Sequence, residues 1–276
     1  MDEREKRRRA KKARRQRRAV TTFCLMTAAI ILASVYIIYY VLAGPGSISH
    51  RSALEDNPYT PEDFATMNGY VTCTAGPSRR GVDVSEYQEE VDWDQVRDAG
   101  FDFAFIRIGY RGYSMGSIKP DDMAREHLAG AKAAGLDVGV YFYAQAISPE
   151  EAAEEAKWCL DFLSGEYLDL PVVYDWEWVS TNARTGSMTK EVLTECAKTF
   201  CETIENSGYQ AMIYFNTHIA RDLLDLEQLA EYPFWLAQYK THMDFPHRVD
   251  LWQYTESGTV PGIKGDVDID LMFIYE

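Results

Sequence analysis

The chain has 276 residues, of which 46% are hydrophobic and 26% are charged, so it can bury the core of one large domain with a further segment attached. Its formal net charge is -15, and this charge is unevenly spread along the chain. Residues 44–276 carry a net charge of -23, which excludes binding of this region to nucleic acid through phosphate-neutralising Lys and Arg.

The first 43 residues predict a membrane anchor. Residues 1–18 contain 11 Lys or Arg and three acids, a net charge of +8, and residues 19–43 carry no charge. At about 1.5 Å per residue, a helix over 19–43 would exceed the roughly 30 Å thickness of a hydrocarbon core. The basic arm in front of it predicts a cytoplasmic N-terminus and a domain outside the cell. Membrane lipid is therefore the expected partner of residues 19–43.

Two alternatives concern this N-terminal region. The tripeptide Val41-Leu42-Ala43 resembles a signal-peptide cleavage site, although the apolar run is longer than a typical signal core and favours an uncleaved anchor. The basic arm, residues 1–18, has the composition of a segment that binds nucleic acid or anionic lipid. Membrane topology alone accounts for its charge.

Residues 44–79 predict an extracellular linker. They are punctuated by Gly, Pro and Ser and show no periodicity strong enough for a domain, with one short helix at most near 61–70. Of the five cysteines, Cys24 lies in the predicted anchor and four lie beyond it, an even number that permits disulfides without indicating a pairing. Three of these four, Cys159, Cys196 and Cys201, lie in helical patterns and are also explained as small core residues.

Residues 80–276 predict one α/β domain, because β-rich runs alternate with helical patterns there. The predicted strands are 79–85, 101–109, 137–144, 170–177, 209–216, 233–239, 249–255 and 267–275. The predicted helices are 92–99, 121–134, 148–164, 189–207 and 217–231. Eight strands and about five helices indicate an α/β fold, an irregular (β/α) TIM-like barrel of parallel strands preceded by one transmembrane helix. In such a barrel the active site lies at the C-terminal ends of the strands.

Acidic residues fall at these strand ends. Asp175 and Glu177 end the apolar run LPVVYDWEW, and residues two apart in a strand point to the same face. Two neighbouring carboxyls repel when both are ionised, so one tends to keep a proton and serve as a general acid beside an anion. Asp83 and Asp268 lie on the first and last strands, which are neighbours in a closed barrel, so we expect these four acids to face one cleft.

Aromatic residues fall on the same strand ends, where an acidic cleft lined with rings suits a sugar. A pair of carboxyls can cleave a glycosidic bond, one as the acid and the other as the anion that supports an oxocarbenium-like centre. Each aromatic taken alone is more often a core residue. The candidates for substrate contact are Tyr110, Tyr141, Tyr143, Tyr214, Trp235 and Gln253. No Cys/His spacing predicts a metal site and no Gly-rich phosphate motif is present, so no cofactor is expected.

At these residues the chain resembles a known family. The motifs that carry the resemblance, in chain order, are GVDVSEYQEEVDW, FIRIGY, AGLDVGVYFYA, LPVVYDWEW, FWLAQY and LWQYTESGTVPGIKGDVDID. They resemble the glycoside hydrolase family 25 muramidases (Chalaropsis-type lysozymes) over about residues 80–276. The resemblance implies cleavage of the β-1,4 bond between N-acetylmuramic acid and N-acetylglucosamine in the glycan strands of peptidoglycan. It also implies that Glu177 is the general acid, that Asp175 is its partner, and that Asp83 and Asp268 are the other two site acids.

The sequence departs from the family pattern at three places. Glu89 stands where the family usually has glycine, Tyr141-Phe142-Tyr143 stands where it often has Tyr-His-Phe, and Asp268-Ile269-Asp270 stands where it often has Asp-x-Asn. None of these departures removes a predicted catalytic acid, so we expect a membrane-anchored enzyme that remodels the cell wall. The alternative is a membrane-anchored module that binds peptidoglycan without cleaving it.

Overall fold

The structure, a computed structural model, describes residues 51–275, which contain eleven strands and five α-helices. The strands are β1 (Phe64–Met67), β2 (Tyr70–Cys73), β3 (Ser78–Val84), β4 (Phe103–Arg111), β5 (Ile118–Pro120), β6 (Asp137–Ala144), β7 (Val172–Trp176), β8 (Ala211–Asn216), β9 (Phe234–Ala237), β10 (Leu251–Gly258) and β11 (Val267–Phe273). All eight predicted strands are confirmed, with small shifts at their ends. The β1–β2 hairpin and β5 were not predicted.

The eight predicted strands close into a barrel. Their order is β3-β11-β10-β9-β8-β7-β6-β4, and β3 pairs with β4 to complete the circle. The prediction that all strands are parallel was wrong for β11, which is antiparallel to both β10 and β3. The reason is the short connection over residues 259–266, since a parallel crossover needs about a dozen residues or more. The extra strand β5 pairs antiparallel with the far end of β4.

Helices cover the outside of the barrel along its first half. They are α1 (Trp93–Asp98), α2 (Ala124–Ala134), α3 (Pro149–Leu163), α4 (Lys190–Glu205) and α5 (Thr217–Asp222). Helix α3 begins as its sequence predicts, with Pro149 in the first turn and the Ser148 hydroxyl accepting a hydrogen bond from the Glu151 amide. Helix α5 ends at Asp222 rather than at 231, because Leu223 leaves the helical conformation.

The other half of the barrel has no helices between its strands, and residues 51–77 cover it instead. The Arg51 guanidinium lies 2.8 Å from the Asp250 carboxylate, and both side chains are buried. The Phe64 ring packs edge-on against Trp252, with 5.2 Å between ring centroids, and Val71 is buried in the same core. This packing corrects the prediction of a linker for residues 51–77.

The predicted short helix near 61–70 is also corrected. The chain forms one 3-10 turn at Pro61–Asp63 and then the β1–β2 hairpin. The hairpin turns at Asn68 and Gly69, whose φ angles of 53° and 88° are the left-handed values that a tight two-residue turn requires. The segment therefore acts as a wall of the barrel, where the helices are missing.

No helix within 51–275 combines the length and apolar character needed to cross a bilayer. The predicted anchor at 19–43, the basic arm at 1–18 and Cys24 lie outside the described residues. Cys73, Cys159, Cys196 and Cys201 are buried and unbonded to one another, which confirms the interpretation of Cys159, Cys196 and Cys201 as core residues.

Candidate active site

The four acids predicted from the sequence meet at one end of the barrel. Asp83 lies near the end of β3, and Asp268 is its direct partner across the β3–β11 pair. Because β11 runs in the opposite direction, Asp268 reaches this end from the start of its strand. Asp175 lies on β7 and Glu177 follows that strand. All four line a cleft of about 280 Å³ at the barrel mouth.

Strand alternation explains how these acids come to share the cleft. On β7, Val173 and Asp175 point into the barrel; on β4, Phe103 and Phe105 do so, followed by Arg107 at the mouth. The inward side chains on β4 and β7 are thus apolar deep in the barrel and polar at its mouth. The apolar ones form a closed inner core that supports the cleft from below.

Asp175 and Glu177 titrate as a pair. Burial is the largest cause that raises the pKa of each carboxyl, well above the usual range for Asp175, and the charge of Glu177 raises the pKa of Asp175 further. The positive charge of Arg107 opposes this and favours ionised Asp175. The pair can therefore hold a proton at a pH where ordinary carboxyls have lost theirs, as general acid catalysis requires.

Asp83 and Asp268 form the second acidic cluster of the cleft, together with Asp270. Burial, followed by the charge of Asp83, raises the pKa of Asp268 to about 9. Burial and the charge of Asp270 raise the pKa of Asp83, while the Gln253 amide donates to Asp83 Oδ2 at 2.8 Å. The cluster can therefore keep protons at a pH where ordinary carboxyls have lost theirs.

Asp270, the departure from Asp-x-Asn, does not reach the cleft surface. It is fully buried inside the barrel, where the Trp235 indole N–H donates to its Oδ1 at 2.9 Å. Burial raises the pKa of Asp270 well above its usual value. Its effect on chemistry is therefore indirect, through the charge and orientation of Asp83.

Five of the six predicted substrate-binding residues line the cleft: Tyr141, Tyr143, Tyr214, Trp235 and Gln253. Trp235 is only 1% exposed, because Phe105, Tyr141 and Tyr214 pack around it. It forms the floor of the cleft and offers no open face for stacking. Gln253 connects neighbouring cleft residues, since its Oε1 accepts hydrogen bonds from the hydroxyls of Tyr214 and Tyr239, each at 3.1 Å.

Tyr110, the sixth residue, does not line the cleft, and its contact with substrate stays a prediction. It lies on β4 beyond the mouth, opposite Lys119 of β5 and Tyr143 of β6, and is not among the residues that line the cleft. The register shift at residue 109 pairs Tyr110 with Tyr143 and puts it on the face that carries Arg107, whose guanidinium lies 5.4 Å from the centre of the Tyr110 ring.

Arg107 is the most important cleft residue that sequence reasoning missed. Its Nε donates to Asp121 at 2.8 Å and its Nη2 lies 3.2 Å from Glu86, so two loops are fixed beside the acids. Among the described residues that line the cleft it is the one cation, facing five carboxyls. A charged residue inside the apolar run FAFIRIG was the available signal. Glu256, Tyr87 and Tyr239 complete the rim.

A buried clamp holds the segment that carries Glu177. The Gln145 side-chain amide donates to the Glu177 carbonyl oxygen at 2.8 Å, and the Thr185 hydroxyl donates to Gln145 Oε1 at 3.1 Å. Arg184 donates to the Gln145 carbonyl oxygen and forms an ion pair with Glu151 at 2.6 Å. The loop after β7 is therefore tied to the start of α3, which fixes the position of Glu177.

Glu89 takes a backbone conformation that suits glycine. Its φ is 51° and its ψ is -135°, values that a side chain makes unfavourable. The His127 Nε2 atom contacts the Glu89 carbonyl oxygen at 2.7 Å, which holds the turn in place. The departure from the family glycine is therefore accommodated with local strain beside the loop that carries Ser85 and Gln88 into the cleft.

The comparisons with known proteins agree with this geometry. The sequence model described as "Glycosyl hydrolases family 25" matches residues 82–263. The chain belongs to this family. The autolytic lysozyme of Clostridium acetobutylicum is 28% identical over 194 residues, which are 69% of this chain and 55% of that protein. Lysozyme M1 of Streptomyces globisporus is 24% identical over 209 residues, 71% of this chain and 69% of that protein.

Solved structures share the fold. The modular autolysin LytC of Streptococcus pneumoniae, solved with a synthetic peptidoglycan ligand, superposes with a TM-score of 0.64 at 22% identity over 76% of this chain and 52% of that one. A family 25 glycosyl hydrolase from Bacillus anthracis gives a TM-score of 0.60 at 23% identity over 72% and 89%. The chain thus spans about half the length of the first curated relative and of the autolysin.

Proposed function

We propose that this chain is a muramidase that hydrolyses the β-1,4 bond between N-acetylmuramic acid and N-acetylglucosamine in peptidoglycan. The observation that carries the proposal is the convergence of four largely buried carboxyls, Asp83, Asp175, Glu177 and Asp268, on one cleft at the barrel mouth. Membership of glycosyl hydrolase family 25 and the two lysozymes among the relatives support it.

In this mechanism Glu177 gives its proton to the glycosidic oxygen as the bond from that oxygen to the anomeric carbon breaks. Glu177 is the partly exposed member of the pair, so it can reach the leaving oxygen, while Asp175 is 5% exposed. Ionised Asp175, favoured by Arg107, supports the positive charge that develops at the sugar or orients the acetamido group. Water adds to the anomeric carbon, and its proton returns to Glu177.

The test compares the full-length chain, purified in mild detergent, with its Glu177→Gln variant. Each is incubated with peptidoglycan, and the soluble products are reduced with borohydride and analysed by mass spectrometry. The parent should release fragments ending in reduced N-acetylmuramic acid, and Glu177→Gln should lower the rate about a thousandfold, as loss of a general acid does. The matched control is Glu195→Gln, an exposed glutamate of α4 whose substitution should leave the rate unchanged.

A second outcome separates the enzyme from the binding module. If the parent is folded and sediments with peptidoglycan but releases no fragments, the proposal of turnover fails. The chain would then be a glycan-binding module that has kept the barrel.

We further propose that residues 19–43 anchor the enzyme in the cell membrane, with residues 1–18 in the cytoplasm and the barrel outside, where it remodels the wall of its own cell. The uncharged run that follows 11 basic residues supports this topology. Protease added to intact cells should digest the barrel and leave the N-terminal arm protected. Recovery of a shortened, freely secreted form from the culture medium would contradict the anchor.

A further inference from the structure

A second cavity lies beside the catalytic cleft, between the β1–β2 hairpin and the mouth ends of β10 and β11. This hairpin groove has a volume of about 710 Å³ and is lined on one side by Thr66, Asn68 and Tyr70 of the hairpin. Its other side includes Thr255 and Ser257 of β10. The hairpin precedes residue 82, where the match to the family begins, so one wall of the groove is built by a segment outside the matched region.

The hairpin groove is continuous with the cleft. Tyr239 lines both cavities and is 49% exposed. On β10, Gln253 and Glu256 face the cleft, whereas Thr255 and Ser257 face the groove. The pairing of β10 with β11 shifts register on both sides of Thr255, and such irregularities redirect side chains beside active sites.

The groove differs from the cleft in charge. Among the described residues that line the groove, Lys240 alone is charged, and its ammonium group already lies 2.6 Å from Asp244. The remaining side chains that carry polar atoms are hydroxyls and one amide, together with tyrosine rings. A ligand rich in carboxylates, such as a peptide stem, finds no free cation here, whereas a neutral sugar finds donors, acceptors and apolar ring faces.

The hairpin is fixed firmly enough to form a binding wall. The Tyr70 hydroxyl donates to the Thr259 carbonyl oxygen at 3.1 Å, across the groove from β2 to the β10–β11 connection. The Arg80 guanidinium lies 4.6 Å from the centre of the Tyr70 ring and donates to the Thr72 hydroxyl at 3.2 Å. The groove is therefore a built feature of the fold and its walls are held at both ends.

We propose that the hairpin groove binds the neutral sugar residues of the glycan strand that continue beyond the cleaved bond. The proposal rests on the proposed muramidase function of the adjoining cleft. It assigns to residues 64–73 a role in holding long glycan strands, in addition to covering the barrel.

The test blocks the groove from either wall. Thr66→Tyr fills it from the hairpin and Ser257→Tyr fills it from β10, and both positions are exposed strand residues where Tyr is compatible with the backbone. Ala65→Tyr is the matched control, because Ala65 lies on the same strand, faces away from Thr66 and is not among the groove residues. Thermal unfolding of each full-length variant verifies that the fold is retained.

Turnover is measured on a series of purified glycan strands of increasing length. For the parent and Ala65→Tyr, KM should fall as the strand lengthens. For the two blocking variants, KM on long strands should be about tenfold higher than in the parent, which corresponds to ~1.4 kcal/mol, with the shortest cleaved strand unaffected. Equal KM values for parent and blocked variants on long strands would overturn the proposal.

Binding is measured in parallel, so that failure of the groove proposal can be distinguished from failure of the muramidase proposal. In the Glu177→Gln background, sedimentation with long glycan strands should weaken by a similar factor when Thr66→Tyr or Ser257→Tyr is added. If the parent shows no turnover on any strand, the muramidase proposal fails while this binding measurement still decides the role of the groove. If the blocked variants bind long strands as well as the unblocked one does, the groove proposal fails even though the enzyme is active.

Discussion

The same strands supply both halves of the barrel interior, yet the two halves have opposite chemistry. The deep half is closed and, apart from the buried Asp270, apolar, with Phe103, Phe105, Val173, Met212, Leu251 and Met272 among its members. One or two positions further along, the mouth carries carboxyls, Arg107 and tyrosines around an open cleft. Burial of the apolar half stabilises the fold, whereas burial of carboxyls opposes it. The deep half thus compensates for a mouth that is arranged for chemistry.

The largest effect is expected in the deep half. Phe105 is fully buried and its ring lies 4.9 Å from that of Trp235, the floor of the cleft. Phe105→Ala should lower the free energy of unfolding by about 4 kcal/mol, because it removes buried apolar contacts and leaves a cavity. Chemical denaturation at fixed pH measures this loss. A loss below about 1 kcal/mol would mean that the deep half is not the stabilising layer.

The next largest effect is expected at the mouth, from replacement of Arg107. Arg107→Met removes the charge that favours ionised Asp175, so the pKa of Asp175 should rise and the acid limb of kcat/KM against pH should move to higher pH. We expect kcat/KM below the optimum to fall by about tenfold to a hundredfold.

Arg107→Lys is the matched control for this prediction. It keeps the positive charge, so the acid limb should lie close to its position in the parent. It loses the forked contacts to Asp121 and Glu86, so the free energy of unfolding should remain below that of the parent. An unchanged pH profile in Arg107→Met would show that this cation does not act on Asp175.

The mouth should also make stability depend on pH. The pKa of Asp268 is raised to about 9 in the folded chain, so between the ordinary carboxyl pKa and that value the folded state holds a proton that the unfolded state has released. Stability therefore falls as pH rises through this window. Asp268→Asn cannot ionise, and at about pH 8 we expect it to be more stable than the parent by about 2 kcal/mol.

Thermal unfolding of both proteins across the window measures this difference. At about pH 4 the difference between the parent and Asp268→Asn should nearly vanish, since the parent carboxyl is then protonated in the folded state and about half protonated in the unfolded state. A constant difference at all pH values would assign the effect to packing rather than to ionisation.

The smallest effect lies on the loop beside the mouth. Glu89→Gly should raise the free energy of unfolding by about 1 kcal/mol, because glycine adopts the positive φ of this position without strain. Gly100→Ala is the contrasting change, since it puts a side chain on a φ of 88° and should destabilise although nothing lies within 4 Å of the added atom. Denaturation curves for the two variants should shift in opposite directions.

Much of the fold followed from local pattern, and the errors have identifiable causes. Apolar runs gave the eight barrel strands, and the short connection at 259–266 was sufficient to predict that β11 is antiparallel. The hairpin carried its own signal in Asn68-Gly69, which was overlooked within a stretch classed as linker. Residues 51–77 cover the side of the barrel where no helices lie between the strands. The sequence pattern of that segment alone could not predict this role.

The acids were predictable because each lies at or next to one end of an apolar strand, but their electrostatic partners were not. Arg107 acquires its contacts from Asp121 and Glu86, which lie on separate loops. The clamp on Glu177 joins Gln145 to Arg184, 39 residues apart in the chain. Such pairings depend on the closed barrel and leave no spacing in the sequence. For Trp235 the sequence predicted a contact with substrate, but the side chain is almost fully buried beneath the cleft and offers no open ring face to a sugar.

The pairing of β11 between β10 and β3 has a consequence for how the protein is made. The first barrel strand of the chain forms hydrogen bonds with the last one, with Ser78 opposite Phe273 and Asp83 opposite Asp268. A growing chain therefore holds β3 and β10 with open edges until residues 267–273 have been synthesised, because neither has its final neighbour before then. Closure is a late step that joins distant parts of the chain, which makes folding slow and leaves unpaired edges in need of protection during synthesis.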